Sequence, residues 1–146
     1  MSQPNDCVFC KILSGELEVS LVYQDECCSA FMDIQPINPG HTLVAPNRHA
    51  SNLAELDEKD GAQMFRVAQC IAAALYKSGV NCEGVNFFLA DGEAAGQEVF
   101  HVHLHVLPRH VGDGFGLKLG PHYANKPGRQ ELNEIADRIK NALQSG

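Results

Sequence analysis

Three histidines alternate with aliphatic residues in the segment His101–Leu107. Alternation at every second residue is typical of a half-buried β-strand, in which successive side chains point to opposite faces. His101, His103 and His105 are therefore expected on one face, with neighbouring imidazoles about 7 Å apart. The intervening aliphatic side chains would pack against a core, and Pro108 would end the strand.

Imidazoles on a strand support three kinds of role. They can be structural histidines that satisfy their hydrogen bonds inside a core, they can bind a metal, or they can act as a nucleophile and proton donors near neutral pH. One metal ion cannot reach all three rings, because ligand bonds of about 2.0–2.1 Å are much shorter than the spacing along a strand. At most one or two are ligands, and the alternation favours chemistry over packing.

The remaining sequence predicts a single domain over residues 1–146. Short strands are expected at residues 21–24, 28–32, 42–45 and 85–89, with the histidine strand as the fifth. A long amphipathic helix should follow an N-cap at Asp57 and stop at Gly79, and a C-terminal helix should span Leu132 to Leu143. This order predicts an α+β fold with a mostly antiparallel five-stranded sheet.

The net charge of −7 argues against a nucleic acid polymer as the main partner, since backbone binding needs clustered Lys and Arg. No apolar run reaches the ~18 residues of a membrane span, so no membrane partner is expected. The segment Met1–Asp6 lacks the charged and apolar regions of a signal peptide, which makes the cytoplasm the expected location. Six cysteines in such a chain are expected as thiols or metal ligands.

The histidine segment resembles the signature of the histidine triad (HIT) superfamily of nucleotide hydrolases and transferases. The preceding residues 96–100 (GQEVF) and the following Pro108-Arg109 match it, as do residues 7–11 (CVFCK), 31–34 (FMDI) and 40–46 (GHTLVAP). The likeness spans about residues 6–116 and is closest to bacterial-type members. It implies a HIT-like fold, a homodimer with one continuous sheet, and a nucleotidyl-histidine intermediate.

The resemblance also implies a role for each histidine of the predicted site. His103 is the expected nucleophile, and His105 is the expected donor to the phosphate oxygens. His101 would orient the centre of the strand. His41 corresponds to an upstream fourth histidine that hydrogen-bonds to the first histidine of the triad.

The purine nucleotide is expected to contact segments on both sides of the triad. Asp33 would accept hydrogen bonds from ribose hydroxyls, and backbone N–H groups after Gly96 would bind phosphate oxygens. The expected substrate-binding residues are Phe9, Phe31, Asp33, Ile34, Gly96, Gln97, Val99, His103 and His105. Two residues depart from familiar patterns: Glu98 replaces a serine that assists amine leaving groups in eukaryotic phosphoramidases, and Ala90 replaces an Asn or Gln.

Cys7 and Cys10 have the spacing of half a zinc site. His49 and His101 could complete a Cys₂His₂ tetrahedron, as the resemblance implies for structural zinc. The alternative is two buried thiols and a surface histidine. No organic cofactor is expected.

The leading functional hypothesis is an enzyme that releases a nucleoside monophosphate from purine nucleoside phosphoramidates or dinucleoside polyphosphates. Glu98 and the segment after Pro108 weakly favour the polyphosphates. The alternative hypotheses are a nucleotide- and zinc-binding regulatory module with little catalysis, and a protein that only handles metal. Adenine and guanine are not distinguished by these residues.

Overall fold

The computed structural model describes residues 6–146, and backbone proximity divides the chain into two compact units, Met1–Gly114 and Phe115–Gly146. The single domain over residues 1–146 therefore stays a prediction. Residues 1–5 belong to the segment in which no signal peptide is expected, and they lie outside the described residues. The elements of the first unit are α1 (Val8–Leu13), β1 (Leu21–Gln24), β2 (Cys28–Met32), β3 (Thr42–Pro46), α2 (Glu58–Leu75), β4 (Gly84–Phe88), a 3₁₀ turn (Glu93–Ala95) and β5 (Leu104–Arg109). The second unit contains α3 (Arg129–Gln144).

The five strands form one sheet in the order β1-β2-β3-β5-β4, and every neighbouring pair is antiparallel. This confirms the predicted α+β fold with one long helix and one C-terminal helix. Within the described chain, no helix has both the length and the apolar character that a bilayer crossing requires.

Helix α2 covers one face of the sheet. Its N-cap is Asp57, as predicted, whose carboxylate accepts the Lys59 N–H at 2.9 Å. Apolar side chains at helical spacing then pack on alternate residues of the strands, because strand residues two apart share a face. The cluster contains Ala30, Val44, Met64, Val67, Ala68, Ile71, Leu75, Val102, Leu104 and Val106.

Helix α1 covers the opposite face. The Sγ of Cys7 caps this short helix by accepting the Cys10 N–H at 3.4 Å, and Gly15 follows its end with a φ of +85°. Phe9 is its buried residue and packs with Phe31. The triad histidines lie on this face, because the aliphatic residues between them belong to the α2 core.

The histidine strand begins and ends later than predicted. His101–His103 precede the regular strand β5, and Pro108 does not end it. Pro108 lies opposite Val85 of β4, and on its other side β3 begins only opposite Val106, so β3 does not require its missing N–H. The Pro108 carbonyl instead accepts the Asn38 side-chain amide at 2.9 Å. The inference that the three imidazoles share a face is nevertheless correct.

Candidate active site and candidate metal site

A cleft of about 750 Å³ opens on the α1 face of the sheet. Its volume lies in the range that holds a small organic ligand, about 300–1,000 Å³. The lining comes from α1, the segment after it, strands β2 to β5, and the loops before β3 and before β5. It comprises Val8, Phe9, Ile12, Leu17, Glu18, Val19, Phe31, Met32, Asp33, Ile34, Gln35, Ile37, His41, Leu43, Phe88, Ala90, Ala95, Gly96, Glu98, Val99, His103 and His105.

A row of five rings runs along the cleft. The centroid distances are 5.4 Å from Phe31 to Phe9, 4.9 Å from Phe9 to His103, and 4.9 Å from His103 to His105. Phe88 completes the row, stacked on His105 at 4.1 Å with an interplanar angle of 10°. The central imidazole therefore lies between an aromatic wall on one side and a second, stacked imidazole on the other.

His103 presents one nitrogen for chemistry. The residue is 8% exposed, and Nδ1 lies 2.8 Å from the carbonyl oxygen of His101. A carbonyl only accepts, so Nδ1 carries the proton and the lone pair lies on Nε2. Burial lowers the pKa of His103, which favours the neutral ring. A neutral imidazole with a free Nε2 is a competent nucleophile.

His41 pairs with His105, and the expected pairing with the first triad histidine is wrong. The Ile37 N–H donates to His41 Nδ1 at 3.2 Å, so the proton of His41 lies on Nε2. His41 Nε2 then donates to His105 Nδ1 at 2.8 Å, which leaves an N–H on His105 Nε2. The register of β3 on β5 explains the pairing, because Leu43 lies opposite His105.

Burial governs the ionisation of this pair. It is the largest cause that lowers the pKa of His105 to about 4, and the neighbouring His103 and His41 add to the effect. Burial also lowers the pKa of His41, although Asp33, 3.7 Å from Nδ1, opposes this. Both rings are therefore neutral at physiological pH, in the tautomers that the hydrogen bonds select.

Gly40 allows His41 to enter the site at the start of β3. Its φ is +98°, and an added Cβ would lie 2.9 Å from the Val80 side chain and 3.1 Å from Pro108. Only glycine fits both the backbone conformation and this close approach.

The side chain of Gln97 is not part of the cleft lining. It is 4% exposed, with Oε1 accepting the Gly92 N–H at 2.8 Å and Nε2 donating to the carbonyls of Ser51 and Val99. Gln97 was expected among the substrate-binding residues, but in this conformation its side-chain amide is not available to a phosphate. Gln97 instead fixes the loop from which the triad segment begins.

The loop before β5 offers fewer free backbone N–H donors than the sequence predicted. The N–H groups of Gly96 and Gln97 already bond to the carbonyls of Glu93 and Gly92. The N–H groups of Glu98 and Val99 make no hydrogen bond within the described residues. They are the donors that this segment retains for an anion.

The other expected nucleotide-contact residues reach the cleft, with different exposure. Phe9 and Phe31 are buried in its wall, and Val99 and Asp33 are partly exposed. Asp33 Oδ1 accepts the Gln35 N–H at 2.8 Å, which holds the carboxylate in place. Ile34 is 99% exposed and stands at the rim rather than inside an apolar slot.

His101 leaves the cleft and joins Cys7, Cys10 and His49. One ligand atom of each lies within 4.8 Å of the others. Sγ–Nδ1 separations are 3.3 Å for Cys10–His49 and 3.5 Å for both Cys7–His101 and Cys10–His101. Tetrahedral zinc with bonds of about 2.3 Å to sulfur and 2.05 Å to nitrogen separates these atoms by about 3.6 Å. The donor set and spacing therefore fit zinc.

Outer hydrogen bonds orient both imidazoles of this group. His101 Nε2 donates to the Pro46 carbonyl at 2.8 Å, and His49 Nε2 lies 3.2 Å from the Ser51 hydroxyl. Both rings thus direct Nδ1 toward the sulfurs. Burial lowers the pKa of His101 to about 4, so its Nδ1 lone pair stays available. Burial also raises the pKa of the Cys10 thiol to about 11, so metal binding must displace a proton.

Two features of the cleft were missed by sequence reasoning. Phe88 stacks on His105, and Glu18 lines the cleft wall. Phe88 lay inside a predicted strand, but only the pairing Phe88–His105 across β4 and β5 brings the two together. No sequence signal marked Glu18.

The cleft, a neutral imidazole with one nitrogen that makes no hydrogen bond within the described residues, and a second imidazole oriented as a donor together form a candidate histidine-based active site. The family model for the HIT domain matches residues 14–112. The chain belongs to the HIT family, as the sequence indicated.

Curated relatives match between 72% and 96% of the chain. An HIT-like protein of Borreliella burgdorferi is 45% identical over 116 residues, 79% of this chain and 84% of that protein. Protein hit of Bacillus subtilis is 39% identical over 142 residues, 96% of both chains. The Arabidopsis thaliana adenylylsulfatase HINT3 is 37% identical over 105 residues, 72% of this chain and 53% of that protein.

Solved structures agree with this assignment. A HIT family protein from Bacillus anthracis has a TM-score of 0.85 at 39% identity and covers 94% of this chain and 97% of its own. A zinc-bound histidine triad family protein from Mycobacterium smegmatis has a TM-score of 0.74 at 37% identity, covering 98% and 99%. A histidine triad nucleotide-binding protein from Candida albicans has a TM-score of 0.84 at 26% identity, covering 96% and 99%.

Proposed function

We propose that the protein hydrolyses or transfers a purine nucleoside monophosphate group from a phosphoramidate or a dinucleoside polyphosphate. The observation that carries the proposal is the free Nε2 of His103 in the cleft wall, fixed by the 2.8 Å bond from Nδ1 to the His101 carbonyl. A relative named as an adenylylsulfatase and a neighbour named as a nucleotide-binding protein support the same class of substrate.

The reaction proceeds in two displacements. His103 Nε2 attacks the α-phosphorus, the bond from phosphorus to the leaving group breaks, and its electron pair stays with the leaving group. The leaving group accepts a hydrogen bond from the His105 Nε2–H, an amine leaving group takes its proton from solvent, and the N–H groups of Glu98 and Val99 stabilise the phosphoryl oxygens. Water then attacks phosphorus and releases a proton to solvent, the bond from phosphorus to His103 Nε2 breaks with its electron pair staying on the imidazole, and the monophosphate leaves.

The experiment that tests this proposal is capture of the intermediate. The protein is mixed with an adenosine phosphoramidate that carries a radiolabelled phosphate, then denatured at neutral and at acidic pH. A covalent label that survives neutral denaturation and is lost in acid supports a phosphorus–nitrogen bond to histidine. A regulatory module that only binds nucleotide forms no such label.

We infer a structural zinc at Cys7, Cys10, His49 and His101. The metal would supply four strong bonds that join α1 to the segment before β5. Phe9 lies between the two cysteines, so the site also holds the aromatic wall beside His103. The zinc-bound structure of the Mycobacterium smegmatis relative supports this inference.

We further propose that two copies of the chain pair through β4. Both β1 and β4 are edge strands, but the β1 pairing contains a register shift, and such irregularities discourage further pairing. β4 pairs without a shift, and Phe65 beside it is 51% exposed and in ring contact with Phe87. Light scattering is expected to give twice the mass of the chain; the mass of a single chain would contradict the proposal.

The pH dependence of kcat/KM should reflect the neutral rings of His41 and His105. An ordinary histidine gains a proton near pH 6.5 as the pH falls, and a protonated His105 could no longer accept the His41 hydrogen bond. Because burial lowers the pKa of His105 to about 4 and lowers that of His41 as well, the loss should occur at a pH well below 6.5. A constant kcat/KM from pH 8 to about 5.5 is expected; a fall centred near pH 6.5 would contradict it.

A further inference from the structure

Phe88 lies directly against the second imidazole of the candidate active site. Its ring is stacked on His105, with the two centroids 4.1 Å apart and an interplanar angle of 10°. The two residues are paired across β4 and β5, and side chains paired in this way point to the same face of the sheet. The contact is therefore set by the register of two strands, and both residues line the cleft.

The hydrogen bond from His41 does not by itself fix the plane of the His105 ring. It joins His41 Nε2 to His105 Nδ1 at 2.8 Å, and one bond at one ring nitrogen leaves the ring able to tilt about the axis of that bond. Packing against a whole ring face restricts such a tilt. The rings of His41 and His103 are tilted against His105 by 41° and 56°, so the parallel contact among the described residues is that of Phe88.

The direction of the His105 Nε2–H depends on this ring plane. In the proposed reaction the leaving group accepts a hydrogen bond from that N–H, and a hydrogen bond weakens steeply as the angle at the hydrogen becomes less linear. A donor contributes most when it is oriented before charge develops on the acceptor. A fixed ring plane therefore keeps the donor aimed at one point of the cleft.

Phe88 also covers the His105 ring with apolar surface. Burial is the largest cause that lowers the pKa of His105 to about 4. Strand β4 adds only the phenyl ring to this environment, since its residues (GVNFF) include no ionisable group. The titratable groups that act on His105 are His103 from the segment before β5, His41 from the segment before β3 and Asp33 from the loop after β2, and Glu18 and Glu98 line the same cleft.

We propose that Phe88 is a positioning residue for catalysis, whose stacked ring holds the neutral His105 with its Nε2–H directed into the cleft. Phe88 acts through His105 and does not need to contact the substrate. A phenyl ring serves both tasks, because its flat face stacks on an imidazole and its apolar surface excludes water. This inference rests on the function proposed above and identifies the residue that orients its hydrogen-bond donor.

The test compares three replacements of Phe88 with one matched control. Phe88→Tyr keeps a flat ring, Phe88→Leu keeps apolar bulk without a ring face, and Phe88→Ala removes both. The control is Phe87→Leu, which makes the same change at the preceding residue of β4. Phe87 packs against the core under α2, in ring contact with Phe65, so this variant reports any general weakening of the strand.

The first measurement is turnover of an adenosine phosphoramidate. The kcat is expected to fall about tenfold in Phe88→Leu and Phe88→Ala, less than the ~10²–10³ lost when a preorganised donor is removed, because His105 remains. KM should change by less than about threefold, since the substitutions remove no contact with the substrate. Phe88→Tyr and Phe87→Leu should keep the native kcat.

Nitrogen-15 NMR of the imidazoles gives a readout that a general weakening of the fold does not move. In the native protein and in Phe88→Tyr, His105 is expected as the Nε2–H tautomer, with a pKa of about 4. In Phe88→Ala water reaches the ring and stabilises its charged form, so the pKa should rise by about one pH unit or more toward the ordinary 6.5. The fall of kcat at low pH should move upward with it. In Phe88→Leu the pKa should stay low, because the leucine side chain still excludes water.

The outcomes separate this role from the function on which it rests. Native kcat and native ionisation of His105 in Phe88→Ala would overturn the role of Phe88 alone, as would an equal loss of kcat in Phe87→Leu. A raised KM with unchanged kcat would make Phe88 a substrate contact and would also overturn positioning. Absence of both turnover and covalent label in the native protein would refute the proposed function and this role together. Thermal unfolding checks that each variant folds, and if Phe88→Ala does not, the contrast between Phe88→Tyr and Phe88→Leu decides the question.

Discussion

Replacing His103 with asparagine is expected to reduce turnover at least about ten-thousandfold, the scale seen when a nucleophile is removed. The asparagine amide can still donate to the His101 carbonyl, which now accepts Nδ1–H at 2.8 Å. The variant therefore keeps the local hydrogen bond and loses only the nitrogen that attacks phosphorus. Turnover is measured by release of nucleoside monophosphate, and the covalent label should vanish with it.

Binding should survive this substitution, because the cleft walls and the neighbouring imidazole remain. Calorimetry with adenosine monophosphate is expected to give a dissociation constant within about tenfold of the native value, a change of about 1.4 kcal/mol. His103→Ala, which leaves a small cavity, should lose turnover equally. His122→Ala, an exposed histidine of the second unit, is the matched control. Native turnover in His103→Asn would refute the nucleophile assignment.

Replacing Cys10 with serine is expected to remove the zinc and lower the midpoint of thermal unfolding. A stabilisation of only about 3 kcal/mol from the metal corresponds to a loss of at least about 6 °C in a chain of this length. The physical reason is that Cys10 faces both imidazoles, at 3.3 Å and 3.5 Å, and a neutral hydroxyl is a poor zinc ligand. Metal content is measured by mass spectrometry on reduced, untagged protein.

The exposed Cys70 provides the control for this experiment, because Cys70→Ser changes the same atom without touching the cluster. It should bind one zinc per chain and unfold at the native temperature. Loosening of α1 in Cys10→Ser should also raise KM, since Phe9 borders the nucleotide cleft next to His103. Native protein that carries far less than one zinc per chain would refute the metal site.

The candidate active site and the candidate metal site both take histidines from residues 101–105. His101 turns to the cysteines and His103 to the cleft, with the His101 carbonyl holding His103 in the reactive tautomer. His101 therefore links the metal site, which would stabilise the fold, to the tautomer of His103 on which its reactivity depends. A metal-free protein is expected to lose part of the precision with which His103 is placed.

Much of this arrangement was accessible from the sequence, because it depends on local periodicity. Alternation placed the three imidazoles on one face, spacing gave α2 with its Asp57 cap, and the Cys7–Cys10 pair indicated a metal site. Each of these follows from the geometry of one helix or strand, which the order of residues fixes directly. The family likeness then added the roles.

Only the tertiary structure decided which side chains meet across elements. The register of β3 on β5 brings His41 within hydrogen-bond distance of His105, and the register of β4 on β5 places Phe88 against the His105 ring. Gln97 turns inward and bonds to three backbone groups, and Pro108 stays in its strand because β3 ends its pairing before reaching it. These outcomes depend on contacts between residues far apart in the chain, where hydrogen-bond satisfaction and packing, rather than local spacing, determine the result.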